Sequence, residues 1–273
     1  MKKLIENYLA SKKIEYYGIL AYSDCYESAG HIMAREDFIP RSVIVYLAPY
    51  YAGETENLSR YAASLDYHVI LKEIGEGLIE GLKAAHPGCS ARSYGDHSPI
   101  AECHAAASLG LGVIGDNGLI INEKYGSYVF VGDVVTDIEP ELLGAVKPVP
   151  VSRCLQCGAC KRACPTGILA GAGSDCLSAI TQRKGELTER EVNLIRECNT
   201  AWGCDLCQSC CPYNANPTPT PLEFFYRDRL PRIDSGAVEA MSKETFSRRA
   251  FAWRGKKTLL RNLAILEGKG EEK

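Results

Sequence analysis

The sequence predicts a mixed α/β domain joined to a small cysteine-dense metal domain, and three observations carry that reading. Apolar strand runs at Ile14–Ala21 and Ser42–Leu47 precede a helix-rich middle, and two further strand patterns follow at Leu119–Asn122 and Tyr128–Val135. That order suits a sheet covered by helices, although periodicity does not fix the strand order. Thirteen cysteines occur in 273 residues, and most crowd between Cys154 and Cys211. Two of them are followed directly by proline, Cys164-Pro165 and Cys211-Pro212.

Taken in order, residues 2–13 form an amphipathic helix with Leu4, Ile5, Tyr8 and Leu9 on one face. Ser42-Val-Ile-Val-Tyr-Leu47 is the continuous apolar run of a buried strand. Ser59 to Ala85 reads as a helix whose stripe is Leu65, Val69, Leu71, Ile74, Leu78 and Leu82, stopped by His86-Pro87-Gly88. Ala91–Gly95 is a short strand leading into Asp96-His-Ser-Pro99, and Ile100–Leu109 a small-residue helix with Pro99 in its first turn. Gly110-Leu-Gly112-Val-Ile-Gly115 matches a dinucleotide fingerprint by letter, but it follows a helix where that fingerprint follows a strand. Its glycines are expected to permit close backbone packing or approach to a cofactor face. Pro140–Pro150 is the linker. The expected division is therefore a core at 1–150, a metal module at 151–216 and a basic helical tail at 217–273 packing on the core.

Hydrophobic content of 46% and charged content of 24% are those of an ordinary globular protein. No apolar run approaches the roughly 20 residues of a membrane helix. The net charge of −3 conceals a basic stretch, Arg227–Arg261, with ten Lys/Arg against four Asp/Glu. Such a stretch suits either phosphate contacts or a solvated helical surface.

Cys154-Leu-Gln-Cys157-Gly-Ala-Cys160-Lys-Arg-Ala-Cys164-Pro165 is the bacterial ferredoxin run. In that run three thiolates grip one iron–sulfur cube and the fourth reaches a second cube. A second set, Cys204-Asp-Leu-Cys207-Gln-Ser-Cys210-Cys211-Pro212, completes a two-cube pattern. Zinc tolerates C-x2-C pairs but leaves the two Cys-Pro endings unexplained. Disulfides are disfavoured because the sequence starts Met-Lys-Lys without an apolar signal core, which points to a reducing, cytoplasmic setting. Cys25, Cys89, Cys103 and Cys198 read as small apolar packing residues.

Several segments together resemble the cobalamin-dependent epoxyqueuosine reductases. They are Leu58-Ser-Arg60-Tyr61, Asp66-Tyr-His68, Asp96-His-Ser-Pro99, Leu109–Gly115, Tyr125-Gly-Ser127, the cysteine runs, Asp175-Cys176-Leu-Ser and Leu260-Arg-Asn262. The resemblance implies a nitroreductase-like, corrinoid-binding α/β (α+β) core with a ferredoxin-like double-cluster domain, shared with reductive dehalogenases. It implies reduction of epoxyqueuosine to queuosine in tRNA, with two [4Fe-4S] clusters passing electrons to the cobalt of a base-off cobalamin. A low-potential donor such as flavodoxin or ferredoxin would supply those electrons to a monomer without membrane attachment.

The family's proton-donating aspartate falls on Asp96, where an apolar pocket would raise the pKa of a carboxyl. The chain alone favours an N-cap for the following helix at that position. Tyr67, His68, Gly110, Gly112 and Gly115 fall where the family surrounds its corrinoid; a core-facing histidine is the plain alternative for His68. His97 and His104 are possible supporting groups. For the clusters, Cys154, Cys157 and Cys160 with Cys211 hold one cube, and Cys164 joins Cys204 and Cys207 on the other. The family pattern adds Cys176 as its fourth ligand, whereas the Cys204-x2-Cys207-x2-Cys210 triplet offers Cys210. Asp116, Val113 and Tyr213 replace a lysine and two tryptophans of the family, and the segment before the first buried strand is short. Two other functions fit the same sequence: a corrinoid- or flavin-dependent reductase of a small molecule, and a non-catalytic electron-transfer protein.

Overall fold

The first strand run forms where expected, as β1 (Tyr17–Ala21), after helix α1 (Lys2–Ser11). A short helix α2 (Gly30–Met33) precedes β2 (Ser42–Pro49), every residue of which is buried. The long helix α3 (Tyr67–Ala85) and strand β3 (Ala91–Gly95) follow, then α4 (Glu102–Ser108). A small hairpin of β4 (Val113–Ile114) and β5 (Ile120–Ile121) leads to β6 (Val129–Thr136) and α5 (Pro140–Leu143). The computed structural model describes residues 1–173 and 175–268.

The main sheet has the order β1-β2-β6-β3 with every neighbouring pair antiparallel. Successive residues of a strand point to opposite faces of the sheet. Val43, Val45 and Leu47 join Leu20, Val135 and the alanines of α4 in one core. Tyr46 points to the other face and donates its hydroxyl to the Leu71 carbonyl of α3, 2.9 Å away. Gly132 is required there, since a Cβ would lie 2.4 Å from the Tyr46 ring.

Two compact units result. One comprises residues 1–50, 68–156 and 220–222; the other comprises 51–67, 157–219 and 223–273. The tail expected to pack on the core thus groups with the cysteine segment. In this second unit lie α6 (Ala159–Ala163), α7 (Leu177–Gln182), α8 (Glu189–Glu197), α9 (Leu206–Ser209), α10 (Ser235–Ala240), α11 (Lys243–Ser247) and α12 (Lys256–Leu266). Trp202 and Phe251 are fully buried within it and meet edge-to-face at 6.4 Å.

Two helix starts differ from expectation. Residues 59–66 form only a 3-10 turn at Arg60–Ala62 and no α-helix, because other backbone groups of the stretch bond elsewhere. Ser59 N–H donates to the Trp202 carbonyl at 2.8 Å and Asp66 N–H to the Arg248 carbonyl at 2.9 Å, while the Ala63 carbonyl accepts from Leu230 at 2.7 Å. These partners are remote in sequence, so local periodicity cannot see them. Val69 is 56% exposed, and the buried stripe of α3 runs through Ile70, Leu71, Ile74, Leu78 and Leu82. The second is α4, which begins at Glu102 with Ala101 as its N-cap, so neither Pro99 nor Ile100 lies in it and Asp96 does not cap it.

Candidate functional site

Cys154 lies at the end of the first unit, where its N–H donates to the Ile114 carbonyl at 3.1 Å. The remaining nine cysteines of the metal segment fall in the second unit, and seven of them sort into two groups by their electrostatic neighbours. Cys204 has Cys176 and Cys207 beside it. Cys210 instead has Cys160, Cys211 and Cys157. Cys210 thus falls with Cys160 and Cys157 rather than with Cys204. Cys164 sits in a nest of donors, held by the Thr166 hydroxyl and the N–H groups of Thr166, Gly167 and Leu169. Among the described residues, no three His, Cys, Asp or Glu side chains converge tightly enough for a single metal ion. Spaced thiolates in two groups suit cubes, in which each sulfur meets a different iron.

The loop carrying Cys204 and Cys207 is locked by a side chain to which the spacing argument gave no role. Asp205 accepts from the Arg60 amide at 2.7 Å, from its guanidinium at 3.1 Å and from the Ser59 hydroxyl. Arg60 also donates to Ser209 at 3.0 Å and pairs with Glu54. Both halves of this lock, Ser59-Arg60 and Cys204-Asp205, were visible only as family-like motifs. Arg249 of the basic stretch is likewise structural: it is 4% exposed and donates to the carbonyls of Asp228 at 2.5 Å and Ser64 at 3.4 Å. Arg261 spends its donors on the carbonyls of Arg183 and Gly185 and on Asn262 Oδ1. The stretch is thus not a uniform patch of solvated charge.

In the first unit, the end of β3 and the start of α3 bring two expected residues together. His68 Nε2 lies 3.9 Å from Asp96 Oδ2, and both side chains are more than half exposed. Asp96 has φ +72°, a left-handed conformation that is uncommon outside glycine and collects at functional sites. Where an apolar pocket was expected, its side chain is 66% exposed. His68, Leu71, Lys72, Glu76, Ser93, Tyr94 and Gly95 line an adjoining cavity of about 210 Å³. Drug-sized ligands occupy roughly 300–1,000 Å³, so this cavity does not enclose a corrinoid.

The other predicted positions have local roles. Tyr67 is 8% exposed at the first position of α3. Gly110 has φ +72°. A Cβ at Gly112 would lie 2.4 Å from the Ile121 carbonyl oxygen, and one at Gly115 2.4 Å from Asn117 Oδ1. The glycine loop therefore serves close packing of the β4–β5 hairpin, with no strand leading into it. His104 stacks edge-on to Tyr26 and meets the Ser108 hydroxyl at 3.2 Å. His97 lies 6.5 Å from His31, ring to ring.

Two further carboxyls were missed by sequence reasoning, because nothing in their local pattern marks them. Asp133 in β6 is fully buried, and burial raises its pKa to about 7. Glu102 opens α4, and burial reinforced by Asp133 and Asp96 raises its pKa to about 8.

Comparison with known proteins matches residues 153–214 to the 4Fe-4S double cluster binding domain. An epoxyqueuosine reductase of Cyclobacterium marinum is 31% identical over 264 residues, covering 89% of this chain and 79% of the relative. The chain belongs to the epoxyqueuosine reductase family. The family member from Gloeobacter violaceus is 38% identical over 188 residues, 64% of this chain and 56% of its own length. Against the Lactococcus garvieae and Listeria monocytogenes enzymes the chain spans 63% and 58% of the relative. The solved epoxyqueuosine reductase of Streptococcus thermophilus superimposes with a TM-score of 0.79 at 25% identity, covering 97% of this chain and 80% of that one. A structure of an epoxyqueuosine reductase with an epoxyqueuosine-modified tRNA-Tyr stem loop shares the fold, with a TM-score of 0.78 at 23% identity over 97% of this chain and 80% of that one. The fold is thus that of the family, an α/β core with a double-cluster domain. No helix among the described residues is long and apolar enough to cross a membrane.

Proposed function

We propose that this chain reduces the epoxide of epoxyqueuosine in tRNA to the alkene of queuosine. The reaction consumes two electrons and two protons and releases one water. The two [4Fe-4S] clusters are the electron path: Cys154, Cys157, Cys160 and Cys211 hold one, and Cys164, Cys176, Cys204 and Cys207 the other. The neighbour sets of Cys204 and Cys210 support Cys176 over Cys210 as the last ligand. Cobalamin is the group that the family resemblance adds at the reacting end, where it would supply a low-valent metal to the carbon–oxygen bond. A low-potential flavodoxin or ferredoxin is the donor to the clusters.

Asp96 supplies the proton to the departing oxygen. The observation that carries this assignment is its left-handed backbone at the open end of β3, with the carboxyl turned towards His68 at 3.9 Å. Asp96 does not cap α4, and general acid catalysis contributes on the order of 10²–10⁴ in rate. The test is Asp96→Asn in anaerobically reconstituted, cobalamin-supplied protein, assayed by mass spectrometry on an epoxyqueuosine-modified stem loop. Asparagine tolerates the left-handed conformation as aspartate does. Clusters and fold should persist while turnover falls by that factor; a variant close to wild type in rate removes Asp96 from the mechanism.

A further inference from the structure

Beneath the loop that carries Asp96 lies an acid pair that the proposed chemistry does not use. Asp133 pairs in register with Tyr94, and Gly132 with Gly95, so Asp133 sits one strand away from the residues that lead into Asp96. Directly paired residues share a face. Asp133 therefore points with Tyr94 and Val45 towards α4, into the apolar cluster of Val43, Val45, Ile100 and Ala105–Ala107. It has no exposed surface, and neither carboxyl oxygen has a hydrogen-bond partner of good geometry. A buried acid without such partners is disfavoured in its charged form and calls for an explanation.

Glu102 is the second member. It stands at the first position of α4, partly buried, and its Oε1 accepts the Asp96 N–H at 3.1 Å. That bond holds a residue whose φ of +72° is unfavourable for a side chain with a Cβ. We propose that Glu102, backed by Asp133, is the positioning residue for Asp96: it holds the Asp96 amide and thereby directs the Asp96 carboxyl towards His68. This rests on the reading of Asp96 as the proton donor.

The surroundings explain how an acid can do this without repelling Asp96. The groups acting on Glu102 are Asp133 from β6 and Asp96 from the loop, and Glu102 in turn acts on Tyr46 of β2 and on Cys103 of its own helix. Asp133 acts on Tyr94, Cys25 and Tyr46, and only the Ser98 hydroxyl eases its burden. No cation acts on either acid among the described residues. Burial and mutual repulsion keep Glu102 protonated near neutral pH, as a neutral acceptor. An ionised glutamate there would face Asp133 and Asp96 together.

The test is amide hydrogen exchange across residues 95–109 of the full, cluster-loaded chain, alongside turnover. Glu102→Met fills the same space without an acceptor, and Glu102→Gln keeps the acceptor without the acid. In Glu102→Met, exchange at the Asp96 amide should quicken at least tenfold while α4 keeps its protection, and turnover should fall about tenfold or more with KM unchanged. Glu102→Gln should retain both. Adding Glu102→Met to Asp96→Asn should cost no further rate, because a residue that acts only through Asp96 has nothing left to position. An Asp96 amide as protected in Glu102→Met as in wild type overturns the proposal; so does full turnover with a loosened amide, or a general loss of α4 protection. Failure of the underlying reading looks different: Asp96→Asn would then turn over at full rate while exchange at residue 96 still depended on residue 102.

Discussion

Asn262→Ala tests how the tail supports the cluster loop. Asn262 has no exposed surface, and its amide donates to the carbonyls of Thr181 at 2.7 Å and Ala201 at 2.8 Å. Its oxygen accepts two bonds from the neighbouring Arg261 guanidinium. Thr181 in turn takes the Gly203 N–H on its hydroxyl at 3.0 Å, next to Cys204. One amide on α12 thus fixes both α7 and the segment that presents a cluster ligand. Alanine strands two buried carbonyls, each costing about 1–3 kcal/mol. After partial relaxation the expected loss is about 3 kcal/mol. With a urea slope of about 3 kcal/mol/M the midpoint should fall by about 1 M. Asn262→Asp keeps the size but sets a carboxyl against two carbonyl oxygens, so it should lose more. The measurement is anaerobic urea unfolding of cluster-loaded protein, with iron content read on the folded fraction. A loss for Asn262→Ala within about 1 kcal/mol would show that these carbonyls find other partners and would refute the argument.

Further outcomes follow from other sites. Because Asp133 and Glu102 hold their protons more tightly when folded, with pKa values of about 7 and about 8, their contribution to stability is fullest below the ordinary carboxyl value of about 4 and is lost as pH rises through the folded values. Asp133→Asn should therefore gain on wild type in urea unfolding as pH goes from about 4 to 8; parallel curves would contradict the burial assigned to Asp133. Reconstituted protein should hold close to eight irons per chain, as two four-iron cubes require; Cys176→Ser should lower that content and Cys210→Ser should leave it intact, and the reverse result would exchange their roles. Retention of tRNA should weaken steeply with salt. Arg248→Glu should reduce it in a folded protein, since Arg248 is 57% exposed, whereas Arg249→Glu should unfold the second unit; equal stability of the two by circular dichroism would place Arg249 on the surface. Tyr46→Phe should cost about 1–3 kcal/mol in urea unfolding, because the buried Leu71 carbonyl loses its 2.9 Å donor; an unchanged midpoint would mean another donor takes its place.

The sequence by itself determined what depends on near neighbours. The cysteine spacing announced the double-cluster domain because two or three intervening residues set which sulfurs can grip one cube. Period-two and continuous apolar runs placed β1, β2 and β6, since burial of a strand face is written in its own residues. The motif order led to the family, and through it to Asp96 and His68. Tertiary structure decided the rest. Whether residues 59–66 coil into a helix depended on Trp202, Leu230 and Arg248, which offer backbone partners from more than 140 positions away. Whether the basic tail is a surface depended on carbonyls that reach Arg249 and Arg261. Which of Cys176 and Cys210 stands by Cys204 depended on the path between them. The acids Glu102 and Asp133 gave no local sign, because a carboxyl's proton affinity is set by what surrounds it in space, and strand pairing and helix packing bring those surroundings from elsewhere in the chain.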